Sequence, residues 1–94
     1  MSYEFEWDPV KAATNLRDHG VSFEEATTVF ADPLAMLMAD PDHSIDEERY
    51  VLLGESTQRS LLLVAFADRS PRTRLISARK ATPHERRQYE EDKS

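Results

Sequence analysis

The first part of the chain shows a strand-like and then a helix-like pattern of apolar and polar residues. Residues 3–7 alternate aromatic and acidic side chains, which predicts a half-buried strand. Asp8 followed by Pro9 is typical of a helix N-cap with proline at the first helical position. Gly20 is suited to end that helix because glycine readily adopts a positive φ.

The rest of the chain predicts a second helix, a group of strands and a last helix. Ser22 with Glu25 three residues later forms a capping box that opens the second helix. Thr82, Pro83 and Glu85 combine another capping box with a helix-starting proline. Few apolar residues follow, so we expect the last helix to pack weakly. Between these helices, apolar runs bounded by turn-forming residues predict strands at residues 34–38, 49–53 (closed by Gly54), 61–67 and 73–78.

The order of elements predicts an α+β fold. We expect a single, mainly antiparallel sheet of about four to five strands, two short helices after the first strand and one C-terminal helix, in one domain spanning residues 1–94. The almost wholly apolar residues 61–67 predict a strand buried on both faces. Alternation divides the last strand between two faces, with Leu75 and Ser77 on one and Arg74, Ile76 and Ala78 on the other.

The composition excludes several classes of protein. A chain of 94 residues favours one domain with one modest core. It contains no cysteine, which excludes disulfides and thiolate metal sites, and no apolar run approaches the roughly 18 residues of a membrane span. The N-terminus is acidic where a secretory signal would be basic and then apolar, so we expect a cytoplasmic protein.

The formal net charge of −6 conceals an uneven distribution along the chain. Residues 1–58 carry 3 basic and 13 acidic side chains, whereas residues 59–87 carry 8 basic and 2 acidic ones. Seven of those 8 bases are arginine, whose planar guanidinium suits bidentate contacts to phosphate or carboxylate. The basic segment is therefore a candidate site for a polyanion or an oppositely charged protein, with plain solvated surface as the alternative.

Residues 77–82, where the last strand leads into the last helix, form the strongest candidate site. Arg79 and Lys80 stand beside the backbone N–H groups of a helix N-terminus, so a phosphodiester would find cations and donors together. Alternatively, both cations pair with acids from the first half of the chain. His84 is a candidate proton carrier, because histidine is the residue type suited to proton transfer at neutral pH, and Tyr89 lies one to two turns further along.

Other candidates are weaker. Arg49 and Arg74 lie on predicted strands, where arginine is unusual unless it reaches solvent, an acid or a ligand. Asp40, Asp42 and His43 could grip a divalent cation, but their spacing matches no established metal loop. Glycine-rich nucleotide-binding motifs, nucleophile elbows and zinc pairs are absent from the sequence, so we expect neither a metal nor another cofactor.

Two strings of residues resemble one known family in their order and spacing. The first is Phe5-Glu6-Trp7-Asp8, Lys11, Asn15 and His19-Gly20-Val21-Ser22-Phe23; the second is Glu48-Arg49-Tyr50, Gly54, Arg69, Arg74-Leu75-Ile76-Ser77-Ala78-Arg79-Lys80-Ala81-Thr82, Glu85-Arg86 and Tyr89. Together they cover nearly the whole chain and resemble the BrnT toxins of bacterial type II toxin–antitoxin systems.

The resemblance implies a small RelE-like fold and a ribonuclease that inhibits translation. It also implies a BrnA-type antitoxin of the ribbon-helix-helix class as partner, with operator DNA bound only through the complex of the two proteins. The basic segment agrees with this expectation, because RNA is anionic and an antitoxin must cover the same face with complementary groups. No membrane is involved in this interpretation.

RNA cleavage without a metal ion uses the 2′-hydroxyl as nucleophile, in line with the leaving 5′-oxygen, and needs a proton carrier and nearby cations. We assign Arg79 and Arg49 to transition-state charge, Lys80 to the substrate backbone and either His84 or Tyr89 to proton transfer. The chemistry slightly favours histidine, but the family's string does not require it there. The other predicted contacts with substrate are Arg69, Arg74 and Arg86.

The chain departs from the family's pattern in two places. The family often has Tyr-Thr where this chain has Phe66-Ala67, which removes two hydroxyls, and glycine where this chain has Gln58. If either hydroxyl assists the chemistry, activity is reduced here, whereas neither change threatens the fold. The competing function is a non-catalytic module that partners a DNA-binding repressor. Direct DNA binding is weaker, since no basic recognition helix is predicted and the net charge of −6 repels duplex DNA.

Overall fold

The computed structural model describes residues 3–40 and 48–93, and its elements follow the predicted order. They are β1 (Glu4–Glu6), α1 (Pro9–His19), α2 (Phe23–Thr28), a 3₁₀ turn (Val29–Ala31), β2 (Met36–Ala39), β3 (Arg49–Glu55), β4 (Leu61–Arg69), β5 (Arg72–Lys80) and α3 (Pro83–Lys93). Most of the loop predicted before β3 lies outside the described residues. None of the described helices is long and apolar enough to span a membrane.

The strands form one sheet in the order β1-β5-β4-β3-β2. The β1–β5 pair is parallel and the other three pairs are antiparallel. The predicted α+β class is therefore confirmed, with a five-stranded, mainly antiparallel sheet, two helices after the first strand and one at the C-terminal end.

Side-chain caps set the ends of the first two helices as predicted. The carboxylate of Asp8 accepts a hydrogen bond from the N–H of Val10 at 2.8 Å. Gly20 closes α1 with φ at +69°, a conformation that residues with a Cβ rarely adopt. The hydroxyl of Ser22 accepts from the N–H of Glu25 at 3.0 Å and opens α2.

Apolar clusters lie on both faces of the sheet. The main core joins the first two helices to one face, and its buried members are Val21, Phe23, Ala26, Val29, Leu52, Leu62, Val64, Phe66, Leu75 and Ala78. On the opposite face, Tyr89 of α3 packs with Leu53 and Leu61. Tyr89 is only 6% exposed, so the expectation that the last helix packs weakly was wrong at this residue.

Asn15 ties α1 to the edge of β5. Its Oδ1 accepts from the N–H of Ala78 at 3.0 Å, and its Nδ2 donates to the carbonyls of Ala78 at 2.8 Å and Val21 at 2.9 Å. Since β1 pairs only with the first three residues of β5, the carboxamide takes the place of a missing strand beside Ala78. Buried backbone groups need such partners, so the contact fixes α1 against β5.

One extra residue interrupts the alternation of β5. Ser77 and Leu75 pair with neighbouring residues of β4, so Ile76 is the additional residue of a β-bulge. Leu75 and Ala78 therefore both lie in the main core, and Ser77 pairs on the opposite face. The prediction that Leu75 and Ser77 share one face while Ala78 lies on the other was wrong, because strict alternation does not continue through a bulge.

Several strands extend beyond their predicted ends. β4 runs through Arg69 and β5 through Lys80, beyond the predicted ends at residues 67 and 78. β2 begins at Met36, two residues later than expected. Ala65 of β4 is half-buried, so the prediction of burial on both faces was only partly correct.

Gly54 lies inside β3 instead of ending it. A Cβ at this position would lie 2.9 Å from both the Cβ of Ala35 and the Cγ1 of Val29. Real Cβ atoms do not approach this closely, so glycine lets β3 pack directly against the segment that leads into β2. Its role is close packing and not the end of the strand that the sequence predicted.

Candidate active site

Five arginines lie on the sheet face opposite α1 and α2. Residues paired across neighbouring strands point to the same face, as do alternate residues of one strand. Arg49 pairs with Ala67, which in turn pairs with Arg74, and this row lies on the face away from the main core. We call this surface the arginine face; its cations are Arg49, Arg69, Arg72, Arg74 and Arg79.

The middle of the arginine face carries small side chains. Ala65 and Ala67 of β4 and Ser77 of β5 occupy the positions between the cations. With strands about 4.8 Å apart, Arg49 and Arg74 stand roughly 10 Å from one another across this floor. Ala67 is fully buried and Ala65 is half-buried, so an incoming group can approach the sheet at Ala65, with guanidinium groups around it.

The carboxylate of α3 holds the guanidinium of Arg79. Nη1 and Nη2 of Arg79 each donate to one carboxylate oxygen of Glu85 at 2.9 Å, and Nη1 also donates to the carbonyl of Lys80 at 3.2 Å. The hydrogen bonds from Arg79 are the main cause that lowers the pKa of Glu85 to about 2. The alternative that Arg79 pairs with an acid from the first half of the chain is therefore wrong.

The same carboxylate completes the predicted capping box. Its Oε1 accepts from the N–H of Thr82 at 2.9 Å, and the hydroxyl of Thr82 accepts from the N–H of Glu85 at 3.1 Å. Sequence reasoning identified Glu85 only as a capping residue. Its second role depends on the start of α3 returning past the end of β5, which no local sequence rule gives.

Glu6 of β1 holds two further arginines of this face. One of its oxygens lies 3.2 Å from Nη1 of Arg74, and the other lies 3.5 Å from Nη1 of Arg72. The sequence predicted Arg74 but did not single out Arg72 or Glu6. Their alignment follows from the parallel pairing of β1 with β5, which local patterns do not reveal.

The structure does not bring every predicted residue to the arginine face. Lys80 pairs with Leu62, a member of the main core, so its side chain starts from the face opposite to that of Arg79. His84 and Arg86 are exposed in the first part of α3. Neither Lys80 nor Arg86 forms an ion pair within the described residues.

Tyr89 acts as an anchor for α3. Its hydroxyl donates to Oδ2 of Asp32 at 2.7 Å, and its ring packs with Leu53 and Leu61. Burial, followed by the bond to Asp32, raises the pKa of Tyr89 to about 12. The phenol therefore keeps its proton at neutral pH and is poorly suited to act as a general base.

Asp32 is a structural residue that the sequence identified only as the end of a helix. Its Oδ1 accepts from the N–H of Leu34 at 2.9 Å, and its Oδ2 accepts from the N–H of Glu55 at 2.8 Å as well as from Tyr89. One carboxylate thus connects the 3₁₀ turn, the end of β3 and α3. The Asp-Pro pair signals a local turn, but the two distant partners have no local signal.

The two departures from the family's pattern fall in different environments. Phe66 faces the main core, where its ring stacks on that of Tyr50 with centroids 5.6 Å apart, so a hydroxyl there would not reach the arginine face. Ala67 lies on that face, and a threonine hydroxyl there would. In the described turn after β3, the residue with positive φ is Arg59, at 65°, so Gln58 adopts no strained backbone.

The weak candidate cation site at Asp40, Asp42 and His43 falls mostly outside the described residues, since the structure describes only the first of the three. Within residues 3–40 and 48–93, no group of three or more histidine or acidic side chains is arranged to hold a metal ion.

Comparisons with known proteins agree with this architecture. The family model described as "Ribonuclease toxin, BrnT, of type II toxin-antitoxin system" matches residues 7–85. The crystal structure of the Brucella abortus ribonuclease toxin BrnT has a similar fold, with a TM-score of 0.68 and 23% sequence identity over 86% of this chain and 99% of that one. No curated protein sequence matches significantly. A RelE-like relationship stays a prediction, but the family match spans most of the chain, and the protein therefore belongs to the BrnT family of type II toxin–antitoxin ribonuclease toxins.

Proposed function

We propose that the protein is an endoribonuclease that cleaves single-stranded RNA on the arginine face without a metal ion. The observation that carries this proposal is the placement of Arg49, Arg74 and Arg79 around a floor of small residues. A phosphodiester that enters this floor is surrounded by donors and positive charge, which is the environment that phosphate contacts require.

The reaction uses the substrate's own 2′-hydroxyl as nucleophile. The 2′-oxygen bonds to the adjacent phosphorus while the bond from phosphorus to the 5′-oxygen breaks, leaving a 2′,3′-cyclic phosphate and a 5′-hydroxyl. Negative charge grows on the two non-bridging oxygens, where Arg79 and Arg49 donate. A preorganised donor in such a position contributes about 3–4 kcal/mol to transition-state stability.

His84 is the proton carrier that we favour, taking the proton of the 2′-hydroxyl and returning one to the leaving 5′-oxygen. It is exposed in the first turn of α3, directly before the residue that holds Arg79, whereas Tyr89 is buried and keeps its proton. A well-placed imidazole contributes about 10²–10⁴ in rate. Arg69 and Arg86 would contact the RNA backbone outside the floor, and Lys80, whose side chain starts from the other face of β5, would contact it where the RNA passes the end of the strand.

We infer that cleavage arrests translation in the cytoplasm and that a BrnA-type, ribbon-helix-helix antitoxin neutralises it. Five arginines on one face support a partner that brings carboxylates to the same surface. Operator DNA would then be bound through the antitoxin, because this chain has no basic recognition helix among its described elements.

The test is cleavage of an end-labelled single-stranded RNA by the purified chain in excess EDTA, with analysis of the product ends. We expect 2′,3′-cyclic phosphate ends from the wild type and loss of cleavage in Arg79→Ala. Arg17→Ala is the matched control, since this exposed arginine pairs with Asp18 on α1, behind the sheet. His84→Gln should lower kcat.

Cleavage that persists unchanged in Arg79→Ala would contradict the assignment to the arginine face. Cleavage by the wild type that disappears in EDTA would contradict the metal-free reaction. A folded chain that cuts neither free RNA nor RNA on ribosomes, but still binds an antitoxin, would favour the non-catalytic partner of a repressor instead.

A further inference from the structure

We propose that Glu85 is a positioning residue for RNA cleavage, holding one edge of the Arg79 guanidinium so that the other edge meets a phosphate of the substrate. The inference rests on the proposed function. It gives a role in the reaction to a carboxylate that the sequence identified only as a helix-capping group.

The first support is the division of the guanidinium into two forked edges. A guanidinium has five N–H bonds, and Glu85 takes one from Nη1 and one from Nη2, while the carbonyl of Lys80 takes another from Nη1. The remaining two, on Nε and Nη2, lie on the second edge and donate to no acceptor in the described part of the chain. This edge has the paired geometry with which arginine binds phosphate.

The second support is the way Glu85 itself is fixed. Its side chain is only 18% exposed, and its Oε1 accepts a hydrogen bond from the backbone N–H of Thr82, which Thr82→Ala would retain. The bond from Tyr89 to Asp32 anchors the same helix further along. The helix that carries the carboxylate is therefore held at its start and at its middle. The side chain of Arg79 is 39% exposed, so its guanidinium is accessible to a substrate.

The ion pairs that Glu6 forms on this face fix their arginines less firmly. Glu6 divides its oxygens between Arg72 and Arg74, with one nitrogen of each at 3.5 and 3.2 Å. A single nitrogen leaves each guanidinium free to turn about its contact. The paired contact with Glu85 fixes the plane of the Arg79 guanidinium. A donor held in a fixed orientation stabilises a transition state whose charge develops on defined oxygens.

The charge of Glu85 indicates which kinetic parameter it should affect. A carboxylate beside Arg79 weakens its attraction for RNA, so Glu85 does not help ground-state binding. Its benefit must then appear in kcat, with KM unchanged or even raised by the carboxylate. A residue that only stabilised the fold would change neither parameter in the protein that remains folded.

Glu85→Gln separates the two roles of the carboxylate. Either Glu or Gln serves in a capping box, so the start of α3 is retained. The amide offers one acceptor oxygen instead of two, so the paired hold on Arg79 is lost. Thr82→Ala is the matched control, because it removes the capping hydroxyl and leaves the contact between Glu85 and Arg79. Each change is made in the wild type and in the Arg79→Ala background.

We expect Glu85→Gln to lower kcat by about tenfold or more, with KM unchanged or lower. Thr82→Ala should change kcat by less than about twofold at a temperature where both variants are folded, and Glu85→Gln should add nothing in the Arg79→Ala background, because coupled residues are not additive. If Glu85→Gln keeps full kcat while Arg79→Ala is inactive, the positioning role is wrong and the proposed function stands. If Arg79→Ala also keeps full activity, the proposed function fails as well.

A second measurement does not depend on cleavage. The ¹⁵N-edited spectrum of arginine Nε–H groups is recorded while a 2′-O-methyl RNA oligonucleotide, which lacks the nucleophile, is added. The Arg79 Nε–H resonance should shift in the wild type, and the shift should be smaller in Glu85→Gln. Binding of the oligonucleotide with no change at this resonance would overturn the inference.

Discussion

Three hydrogen bonds converge on the carboxamide of Asn15, which is 6% exposed. Asn15→Ala leaves the backbone of Ala78 and the carbonyl of Val21 without these partners in a buried place. We expect a loss of about 2–4 kcal/mol in the free energy of unfolding, since each buried unpaired group costs about 1–3 kcal/mol. Urea unfolding followed by circular dichroism measures it.

Thr14→Ala is the control for this change because Thr14 is the exposed neighbour on the same helix. An exposed substitution of this kind changes stability by no more than about 0.5 kcal/mol. Equal stability of the two variants would show that the carboxamide does not act as a substitute strand.

The phenol of Tyr89 gives a prediction that depends on pH. Its pKa is raised from 10.0 to about 12 in the folded chain, so the stabilisation by its hydrogen bond to Asp32 is complete below pH 10 and is lost as the pH rises towards 12. Tyr89→Phe should cost about 1–2 kcal/mol at pH 7. Unfolding measured from pH 7 to 11 should show the cost shrinking only above pH 10.

Spectrophotometric titration tests directly whether the phenol of Tyr89 keeps its proton. The difference between the wild type and Tyr89→Phe should contain no phenolate signal at or below pH 10. A phenolate that appears in this difference near neutral pH would restore Tyr89 as a candidate base and remove the argument for His84.

At the residue scale, the sequence predicted contacts between residues that lie within about four positions of one another. The caps at Asp8, Ser22 and Thr82 were predicted from residue type and spacing, and all three are confirmed. The partner of Arg79, six positions away, and the two distant partners of Asp32 were not predicted, because these contacts reach beyond that range.

At the scale of elements, the close approach of β3 to the segment before β2 depends on Gly54. Gly54→Ala should destabilise the fold by about 1–3 kcal/mol, since its Cβ would lie 2.9 Å from two side-chain carbons and 3.1 Å from Oδ2 of Asp32. The shift needed to relieve this contact would also disturb the bonds of Asp32. Thermal unfolding measures the loss.

Gly20→Ala is the matched comparison for that prediction. Its φ of +69° makes alanine unfavourable, but nothing lies within 4 Å of the added Cβ. We expect a cost of about 1 kcal/mol from the backbone alone. A smaller loss for Gly54→Ala than for Gly20→Ala would contradict the packing explanation.

The order and type of the elements were predicted because each follows from its own periodicity and end signals. The face of the sheet on which each residue of β5 lies was not predicted, because a bulge adds a residue without changing the residue types around it. Here the contact of Asn15 with Ala78 holds the strand beyond the bulge, and that partner is 63 positions away. Local patterns carry no information about such a contact.

At the scale of the whole molecule, the uneven charge along the chain becomes an uneven charge in space. Residues 8–32, which build the layer of α1 and α2, carry 5 acids and 2 lysine or arginine residues. The opposite side of the sheet carries the five arginines. The protein is therefore acidic in total and concentrates arginine on one face, where Glu4, Glu6 and Glu85 offset part of the positive charge.

This arrangement predicts a steep dependence of RNA binding on salt. For a non-cleavable single-stranded oligonucleotide, log Kd should rise with log salt concentration by about 0.7 for each phosphate contact. Arg49→Ala and Arg74→Ala should each lower the slope by roughly that amount, as measured by fluorescence anisotropy. Arg17→Ala should leave it unchanged. A slope near zero for the wild type would exclude RNA as the ligand of this face and favour a protein groove.

The bulge in β5 also determines which changes of chain length the protein can accept. Deleting Ile76 would remove the bulge and restore unbroken alternation, so Ser77 and Arg79 would stay on the arginine face and Ala78 in the main core. A deletion within β3, which pairs regularly with β4, would instead turn every later side chain of that strand to the other face. We therefore expect the protein to accept the loss of one residue between Leu75 and Ala78 more readily than the loss of one residue from β3.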